Sequence, residues 1–329
     1  MGDFPQAVAS NPDEIPANGG FAAENLTALE LQTMTVQRKE FDMKSFQHIL
    51  FPVDFSESSL AVRPFVRSMA EKTGARITLL HVIQAFYNDI DLSHPGMLDM
   101  EASLRRDGEK KLTDFFMLPD APLPAGLETS VQLGEAAGEI VQYAEKHGVD
   151  LIMMPTHGYG PFRRLLIGSV TAKVTYDTAC AVWTAAHTEE LTPDHAICER
   201  ILCAVDVGED DVQTMRSSFD LACRLNAKLR FIHAVPPAEP QPEGFDETFR
   251  REFIELARQD LMRMQRDAGT NIPICIESGR VAKVIREAAL QHDSDLVVMG
   301  RGKLHKTLGR MRTNAYAVIR ESPCPVLSL

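Results

Sequence analysis

Short runs of apolar residues alternate with segments of helical periodicity along most of the chain. In the first part, the runs predict strands at 48–53, 77–83, 128–133, 150–154 and 180–185. The periodic segments predict helices at 97–117, 135–147 and 164–178, and one more after the first strand with Leu60, Ala61, Phe65, Met69 and Ala70 on one side. Pro64 predicts a bend in this helix or its true start. Apolar strands without polar alternation are typical of parallel sheets that helices cover on both faces.

The same order of elements returns in the second part. Strands are predicted near 200–205, 228–235, 272–277, 295–299 and 324–328, and helices near 210–226, 245–268, 281–292 and 309–321. Gly134 precedes Asp150 by 16 residues, and Gly279 precedes Asp295 by the same distance. A repeat at matching spacing indicates a duplicated unit. We therefore predict an α/β fold of two tandem doubly wound domains, 46–190 and 191–329, each with a mostly parallel five-stranded sheet flanked by helices.

The first 45 residues lack this pattern. They are rich in Pro, Asn, Ala and Glu, and predict a tail, 1–45, that is mostly disordered or packs as a short helix on a neighbour. The start of the chain lacks a basic segment followed by an apolar core, so we expect no secretory signal. No run approaches 18 apolar residues, so we expect no membrane span and a cytoplasmic protein.

The charge is unevenly distributed. The net charge of −12 argues against general binding to nucleic acids or anionic membranes. The tail carries −4, residues 46–190 carry −7, and residues 191–329 carry −1. The six cysteines form no CxxC pair, which favours reduced thiols over a disulfide framework and disfavours a zinc site.

Candidate binding residues follow the predicted strands, because ligands of doubly wound sheets bind beyond the carboxyl ends of the strands. Asp54 follows the first strand and could accept a hydrogen bond from a ribose; the alternative is that Asp54 or Ser56 only caps the next helix. Gly168 and Ser169 lie near a predicted helix start, where backbone N–H groups favour phosphate, with Arg163 and Arg164 nearby. The alternative is a flexible loop and a turn.

Other patterns limit the chemistry. The chain has no GxxxxGK[ST], GxSxG or HExxH motif, and no GxGxxG opens a helix after the first strand. His157 could touch a phosphate or make a hydrogen bond that stabilises its loop. His81 and His233 occupy corresponding strand positions, which favours a structural role for both. Trp183 is predicted to pack at a domain or subunit interface.

With these features the chain resembles the universal stress proteins, in a tandem form. The resemblance rests on the opening ILFPVDFSESS, on Leu79–Val82 and on a glycine motif, and it covers residues from about 46 to 329. The family's Gly-x2-Gly-x9-Gly-Ser/Thr appears as Pro155-x2-Gly158-x9-Gly168-Ser169. The resemblance implies an α/β sandwich and, for many members, binding of ATP or AMP with or without Mg²⁺. It also implies dimerisation through the last strand and a role in stress survival.

The resemblance also implies a site in the first domain. Asp54 would contact the adenosine, and Val82 would line the adenine pocket. The set of residues implied to bind nucleotide is Pro52, Asp54, Val82, Met154, His157, Gly158, Gly168, Ser169 and Val170. Pro155 replaces the first glycine of the motif and lacks an N–H group, which is expected to weaken binding at the ribose side.

The second domain departs further from the family pattern. Its corresponding candidates are Asp206, Gly300, Gly302, Arg312 and Thr313, and Arg312 stands where the first domain has Gly168. The segment 301–312 holds five basic residues and no acidic one. One interpretation is that its side chains bind phosphate. The other is that it is a basic loop that is solvated or forms ion pairs with the acidic first domain or tail.

These observations lead to one expectation and one alternative. We expect a stress protein that binds ATP or AMP in the first domain, with the second domain as its degenerate, intramolecular partner. Hydrolysis is expected to be slow at most, because no general base is evident in the sequence. The whole chain could form a further homodimer. The alternative is an interaction or scaffold module of the same fold that binds no nucleotide.

Overall fold

The described part of the molecule covers both predicted domains. The computed structural model describes residues 46–84, 97–118, 122–124, 126–157, 167–188, 198–235, 247–301 and 310–329. Within these ranges, residues 97, 98, 209, 210, 247–250 and 310–313 are described by their backbone alone. The predicted tail 1–45 lies outside the described residues. All described residues belong to one unit, Met43–Leu329.

Strands and helices alternate in the first half. The strands are β1 (His48–Pro52), β2 (Arg76–Ile83), β3 (Leu127–Leu133), β4 (Leu151–Pro155) and β5 (Ala181–Ala185). The helices are α1 (Glu57–Thr73), α2 (Met97–Phe116), α3 (Ala136–His147) and α4 (Ser169–Asp177).

The second half repeats this order. Its strands are β6 (Arg200–Ala204), β7 (Lys228–Val235), β8 (Ile274–Ser278), β9 (Leu296–Met299) and β10 (Val326–Ser328). Its helices are α5 (Glu209–Leu225), α6 (Glu247–Ala268), α7 (Val281–Gln291) and α8 (Arg310–Glu321). The α/β class and the two parallel five-stranded units predicted from the sequence are confirmed.

All ten strands join into one sheet. Their order is β3-β2-β1-β4-β5-β10-β9-β6-β7-β8, and the two halves meet where β5 pairs with β10. This pairing is antiparallel, with Leu327 opposite Trp183, whereas the strands within each half pair in parallel. The last strand of each half is therefore buried in the middle of the sheet.

The first helix, α1, begins before Pro64, for which the sequence predicts either a bend in this helix or its start. Ser56 is the N-cap of α1, and its hydroxyl accepts a hydrogen bond from the Ser59 N–H at 3.2 Å. Pro64 lies inside the helix, so the prediction that Pro64 marks the helix start is wrong. Phe65 and Met69 are buried as predicted, but Leu60 is 40% exposed. The predicted apolar side is therefore correct only from Phe65 onwards.

The repeated Gly and Asp have a structural role in both halves. Gly134 and Gly279 have φ values of +155° and +158°, a region that side chains rarely adopt. Their N–H groups donate to the last carbonyl of β2 and to that of β7, at 3.1 and 3.0 Å. Asp150 and Asp295 accept hydrogen bonds from backbone N–H groups at the starts of β1 and β6. The 16-residue repeat therefore reflects how the strands of each half are held together.

Helices cover the two faces of the sheet differently. On the face covered by α1, α2, α5 and α6, one hydrophobic core runs through both halves. On the other face the core is divided, with one cluster under α3 and α4 and another under α7 and α8. On this face each half therefore has its own core cluster, and Ile167 of the first half packs against the cluster of the second.

Candidate functional site

The acidic residue at the end of β1 is held by the start of α1. Asp54 Oδ1 accepts a hydrogen bond from the Ser56 N–H at 3.0 Å and one from the Ser59 hydroxyl at 2.7 Å. Among the described residues, Asp54 Oδ2 has no hydrogen-bond partner. Ser56 is thus the helix cap, as our alternative reading proposed, and Asp54 orients it while it keeps one oxygen available.

Three predicted site residues from separate elements meet on one face. Met154 is part of the hydrophobic cluster under α3 and α4, and Val82 and Val170 pack against this cluster. Pro52 is buried at the end of β1, two residues after Leu50 of the same cluster. Because side chains alternate along a strand, Pro52 shares the face of Leu50. The structure therefore brings four residues of the predicted nucleotide-binding set, Pro52, Val82, Met154 and Val170, to one face of the sheet at the carboxyl ends of β1, β2 and β4.

The start of α4 lies close to the end of β4. The Gly168 N–H donates to the Thr156 carbonyl at 2.8 Å, and the Thr171 hydroxyl donates to the Pro155 carbonyl at 3.0 Å. A Cβ atom at Gly168 would lie 3.0 Å from the Thr156 carbonyl oxygen. Glycine thus permits a close approach here that a side chain would disturb.

The same contacts correct the predicted helix 164–178. Residues 164–166 lie outside the described residues, Ile167 and Gly168 are not helical, and α4 begins at Ser169. Gly168 has an extended backbone, with φ −57° and ψ 145°, because its N–H is bound to the end of β4. Ser169 is exposed and opens the first turn, whose N–H groups have no acceptor within the helix.

Pro155 lies on the opposite face from the converging residues. It is the last residue of β4 and is buried. Its neighbours Met153 and Met154 belong to the clusters on opposite faces, so alternation places Pro155 with Met153, towards α1. The proline therefore removes an N–H group from the strand end, but its ring lies away from Met154 and Val82.

The remaining candidates of the first half belong to the segment that follows β4. His157 Nδ1 lies 2.8 Å from the Thr156 hydroxyl, a local hydrogen bond of the kind that the alternative interpretation of this histidine expected. Gly158, Arg163 and Arg164 lie outside the described residues.

The second half arranges its corresponding residues differently. Asp206 Oδ1 accepts a hydrogen bond from the Val207 N–H at 2.8 Å, and the side chain is 68% exposed. The ring of His233 lies close by, with Nδ1 3.9 Å from Asp206 Oδ1. Among the described side chains, none of α5 donates a hydrogen bond to Asp206, so its carboxylate is not held as that of Asp54 is.

Gly300, at the end of β9, faces the first turns of α5. A Cβ atom there would lie 2.6 Å from Thr214 Oγ1 and 3.2 Å from Asp211 Oδ1. This contact forms part of the wall of a cavity of about 290 Å³ that Arg301 and Ser217 also line. Gly300 therefore belongs to the α5 side of the sheet and does not join Asp206 in a site like that of the first half.

Three further candidates of the second half are described partly or not at all. Arg312 and Thr313 lie in the first turns of α8, and only their backbone is described. Gly302 lies outside the described residues, as do residues 303–309 of the basic segment.

Arg301 makes contacts that neither reading of the basic segment anticipated. It is partly buried, and it donates hydrogen bonds to the backbone carbonyls of Thr178, Ala179 and Cys180 in the first half. Burial lowers the pKa of its guanidinium. The sequence offered no signal for this contact, because the acceptors are backbone atoms of a distant segment.

The paired histidines and Trp183 lie where structural roles were predicted. His81 Nδ1 lies 2.8 Å from the Val53 carbonyl, and His233 Nδ1 lies 2.9 Å from the Val205 carbonyl. A carbonyl only accepts, so Nδ1 carries the proton in both rings. Trp183 is buried in β5 against Phe65, with ring centroids 5.2 Å apart, and pairs with β10 of the other half.

The six cysteines are all unpaired in the structure, and Cys223 is exposed. Burial raises the pKa of Cys198, Cys203 and Cys324 to about 12 in each case. These three thiols are therefore protonated and poor nucleophiles near neutral pH.

The described helices and side chains were also searched for two other features. None of these helices is both long and apolar enough to cross a membrane. Within the same residues, no group of three or more His, Cys, Asp or Glu side chains is arranged to hold a metal ion.

Comparison with protein families finds one match in each half. The model of the universal stress protein family matches residues 45–185 and residues 198–329. The two matches cover most of the chain and coincide with the two halves of the sheet.

Individual relatives agree with this match. The universal stress protein MJ0531 of Methanocaldococcus jannaschii is 27% identical over 138 residues, which are 42% of this chain and 80% of the relative. A universal stress protein of Thermus aquaticus is 33% identical over 108 residues, 31% of this chain and 76% of the relative. Each relative therefore corresponds to about one half of the chain.

A solved structure resembles both halves together. The universal stress protein of Archaeoglobus fulgidus superposes with a TM-score of 0.57 and 23% identity, over 86% of this chain and 96% of that one. At this identity the likeness concerns the fold, and it extends over the joined sheet.

Proposed function

This chain belongs to the universal stress protein family, and from that premise we propose that its first half binds ATP or AMP. The second half would not bind nucleotide and would serve as a fixed partner of the first. Binding, rather than rapid turnover, would be the function, and the bound nucleotide would stabilise the folded site by mass action. In this way nucleotide concentration would alter how the protein interacts with its partners.

One observation carries this proposal: side chains from three separate elements converge on one face of the sheet, at the edge where Asp54 follows β1 between β2 and β4. Val82, Met154 and Val170 share one apolar cluster at the ends of β2 and β4 and the start of α4. An apolar surface next to a fixed carboxylate suits an adenine ring and its attached ribose, since nucleotide pockets are mostly apolar with a few placed polar groups. Asp54 Oδ2 is the candidate acceptor for a ribose hydroxyl.

The phosphates would bind at the start of α4. Gly168 brings the backbone to within contact of the Thr156 carbonyl, where a Cβ atom would crowd. The first turn of the helix then offers N–H groups and the positive end of the helix dipole, both of which favour phosphate. The described residues therefore fit a nucleotide with its base towards β2 and its phosphates towards α4.

Isothermal titration of the full chain with ATP and with AMP, with and without Mg²⁺, tests the proposal. We expect one nucleotide per chain. Asp54→Asn should weaken binding about tenfold, because it removes the charge on the acceptor; tenfold corresponds to about 1.4 kcal/mol. Asp206→Asn, the matched change in the second half, should leave the affinity unchanged. Absence of binding at millimolar nucleotide would overturn the proposal, and two nucleotides per chain would overturn the role of the second half.

A second pair of variants tests the phosphate side. Gly168 and Gly208 are both N-cap residues, of α4 and α5. An added Cβ meets the Thr156 carbonyl at Gly168 and nothing within 4 Å at Gly208. Gly168→Arg should therefore abolish the rise in melting temperature that ATP causes, and Gly208→Arg should preserve it. Equal effects of the two variants would contradict a phosphate site at α4.

The alternative function is an interaction module that binds no nucleotide. Pro155 favours it, because the strand end loses an N–H group that a ligand could use. Mass spectrometry of gently purified protein distinguishes the two functions. One adenine nucleotide copurified per chain would exclude the alternative, an interaction module that binds no nucleotide.

A further inference from the structure

One arginine of the second half holds a segment of the first half. The Arg301 guanidinium donates to three successive carbonyls, those of Thr178, Ala179 and Cys180. These carbonyls form the turn that connects α4 to β5, and Thr178 is the C-cap of α4. A planar guanidinium can serve several acceptors at once in a fixed geometry, which an ammonium group cannot do.

The backbone of Arg301 is itself anchored. Its N–H donates to the Leu329 carbonyl at 2.9 Å, and the Leu329 N–H donates to the Met299 carbonyl at the same distance. Both partners lie next to the central strand pair of the joined sheet. Because the arginine extends from a fixed strand end, the turn after α4 is tied to the sheet of the other half.

A second contact reaches the middle of the same helix. The Tyr316 hydroxyl of α8 donates to the Ala172 carbonyl of α4 at 3.1 Å. The N-terminal end of α4 is held from its own half, through Gly168 to Thr156 and Thr171 to Pro155. The helix has nine residues and is about 13 Å long. Because so short a helix moves as a rigid rod, a displacement at its C-terminal end would act against these two bonds and tilt the turn that begins at Ser169.

The contact is one-sided. In the first half, Thr156 occupies the position that corresponds to Arg301. The Thr156 hydroxyl bonds within its own half, to the Ala185 carbonyl at 3.0 Å and to His157 Nδ1 at 2.8 Å. The turn after α8 is held by Ser322, whose hydroxyl donates to the Cys324 carbonyl at 2.7 Å. Among these described contacts, only α4 is held by a charged group from the opposite half.

We propose that Arg301 is a positioning residue for the phosphate end of the first-half site. It acts through α4: by fixing the turn at residues 178–180 it keeps the first turn of the helix in place for the phosphates. The positive charge also lies at the C-terminal end of the helix, where cations are favourable. This inference rests on the proposed function, and it assigns the second half a definite task in that function.

The main experiment compares the binding of ATP with that of adenosine, which has the same base and ribose but no phosphates. In the full chain, Arg301→Ala should weaken ATP binding at least about fivefold and leave adenosine binding within about twofold. The N–H groups of the first turn would bind the phosphates, whereas adenosine would meet this helix only through the Val170 side chain. Arg301→Lys keeps the charge without the planar geometry and should fall between the alanine variant and the wild type. Tyr316→Phe removes one hydrogen bond and should have a smaller effect of the same kind.

A control and a second measurement separate this role from general stabilisation. Arg320 is exposed on α8 and pairs with Glu321 at 2.9 Å, so Arg320→Ala should leave both affinities unchanged. Hydrogen exchange of the nucleotide-free protein should show faster exchange in α4 for Arg301→Ala, including its first turn, and no change in α3.

The outcomes distinguish the two proposals. An unchanged ratio of ATP to adenosine affinity in Arg301→Ala would overturn the positioning role, whatever the variant does to stability. If the wild-type chain binds neither ATP nor AMP, the proposed function fails. Hydrogen exchange alone then decides whether Arg301 fixes α4. Equal exchange in α4 of the variant and the wild type would then overturn that role too.

Discussion

The two halves agree where the sheet is built and differ where a ligand would bind. His81 and His233 donate to equivalent carbonyls at 2.8 and 2.9 Å, and Asp150 and Asp295 hold the starts of equivalent strands. Asp54 and Asp206 are also equivalent in sequence, but among the described residues only Asp54 accepts hydrogen bonds from the start of the helix that follows it. Identical residues thus keep identical contacts only when those contacts support the fold.

The difference at the strand ends involves neighbouring residues more than the aspartates themselves. Ser59 of α1 donates to Asp54, whereas Asp211 occupies the equivalent position of α5. A carboxylate cannot donate to another carboxylate, and the two would repel each other. The second half has therefore lost the support for Asp206 while it keeps the residue, which explains why sequence alone makes both sites look plausible.

Substitution of the paired glycines gives the largest expected effect. Gly134→Ala and Gly279→Ala should each reduce the free energy of unfolding by about 2–4 kcal/mol. The positive φ disfavours a side chain, and an added Cβ atom would lie within 3 Å of the Glu139 or the Val284 side chain, which would have to move. Gly74→Ala is the control, since Gly74 has φ +74° but nothing within 4 Å of an added Cβ. It should lose only about 1–2 kcal/mol. Urea denaturation measures all three, and a large loss in only one half would break the equivalence of the halves.

The paired aspartates should give the next largest effect. Asp150→Ala and Asp295→Ala each leave two backbone N–H groups without their acceptor. We expect a loss of about 1–3 kcal/mol in each half, measured by the same denaturation. The ion pair of Asp295 with Arg200 is exposed and should add little. A loss confined to Asp150→Ala would show that the second half does not depend on this contact.

The smallest expected effect is a pH dependence that separates the halves. Burial lowers the pKa of His48, with a contribution from Arg76, while the His147 carbonyl, Asp150 and Glu128 oppose the shift. The folded state therefore binds this proton less readily than the unfolded state. Stability from neutral His48 is complete above about pH 6.5 and falls as the pH drops below that value.

Melting temperatures at pH 7.5 and 5.5 test this dependence. The decrease on acidification should be about 1–2 °C smaller in His48→Gln than in the wild type. The second half has Arg200 at the equivalent position, which does not titrate in this range. His292→Gln measures the corresponding contribution of the second half, because burial also lowers the pKa of His292. An equal decrease in His48→Gln and the wild type would exclude His48 as the source.

The sequence predicted the order of elements well, because each strand is a short apolar run between strong helix signals. It failed where a tertiary contact decided the local structure. Helix propensity extended α4 back to residue 164, but the bond from Gly168 to Thr156 keeps Ile167 and Gly168 out of the helix. Pro64 looked like a helix start, but the cap at Ser56 starts α1 about two turns before it.

The candidate site was predictable only in part for the same reason. Val82, Met154 and Val170 could be identified through the family motif, and the structure places them on one face. The support of Asp54 by Ser59 depends on a side-chain orientation that no periodicity reveals. Arg301 was visible only as one of several basic residues, since its acceptors lie more than 120 residues away in the sequence.

The covalent link between the halves has a consequence for how such a protein can evolve. In a symmetric homodimer every substitution appears twice, so a residue that helps one subunit's site must be tolerated at the same place in the other. Here the two halves share one sheet but are encoded separately, and Thr156 and Arg301 occupy equivalent positions with different tasks. Duplication within one chain thus frees one half to specialise for the benefit of the other.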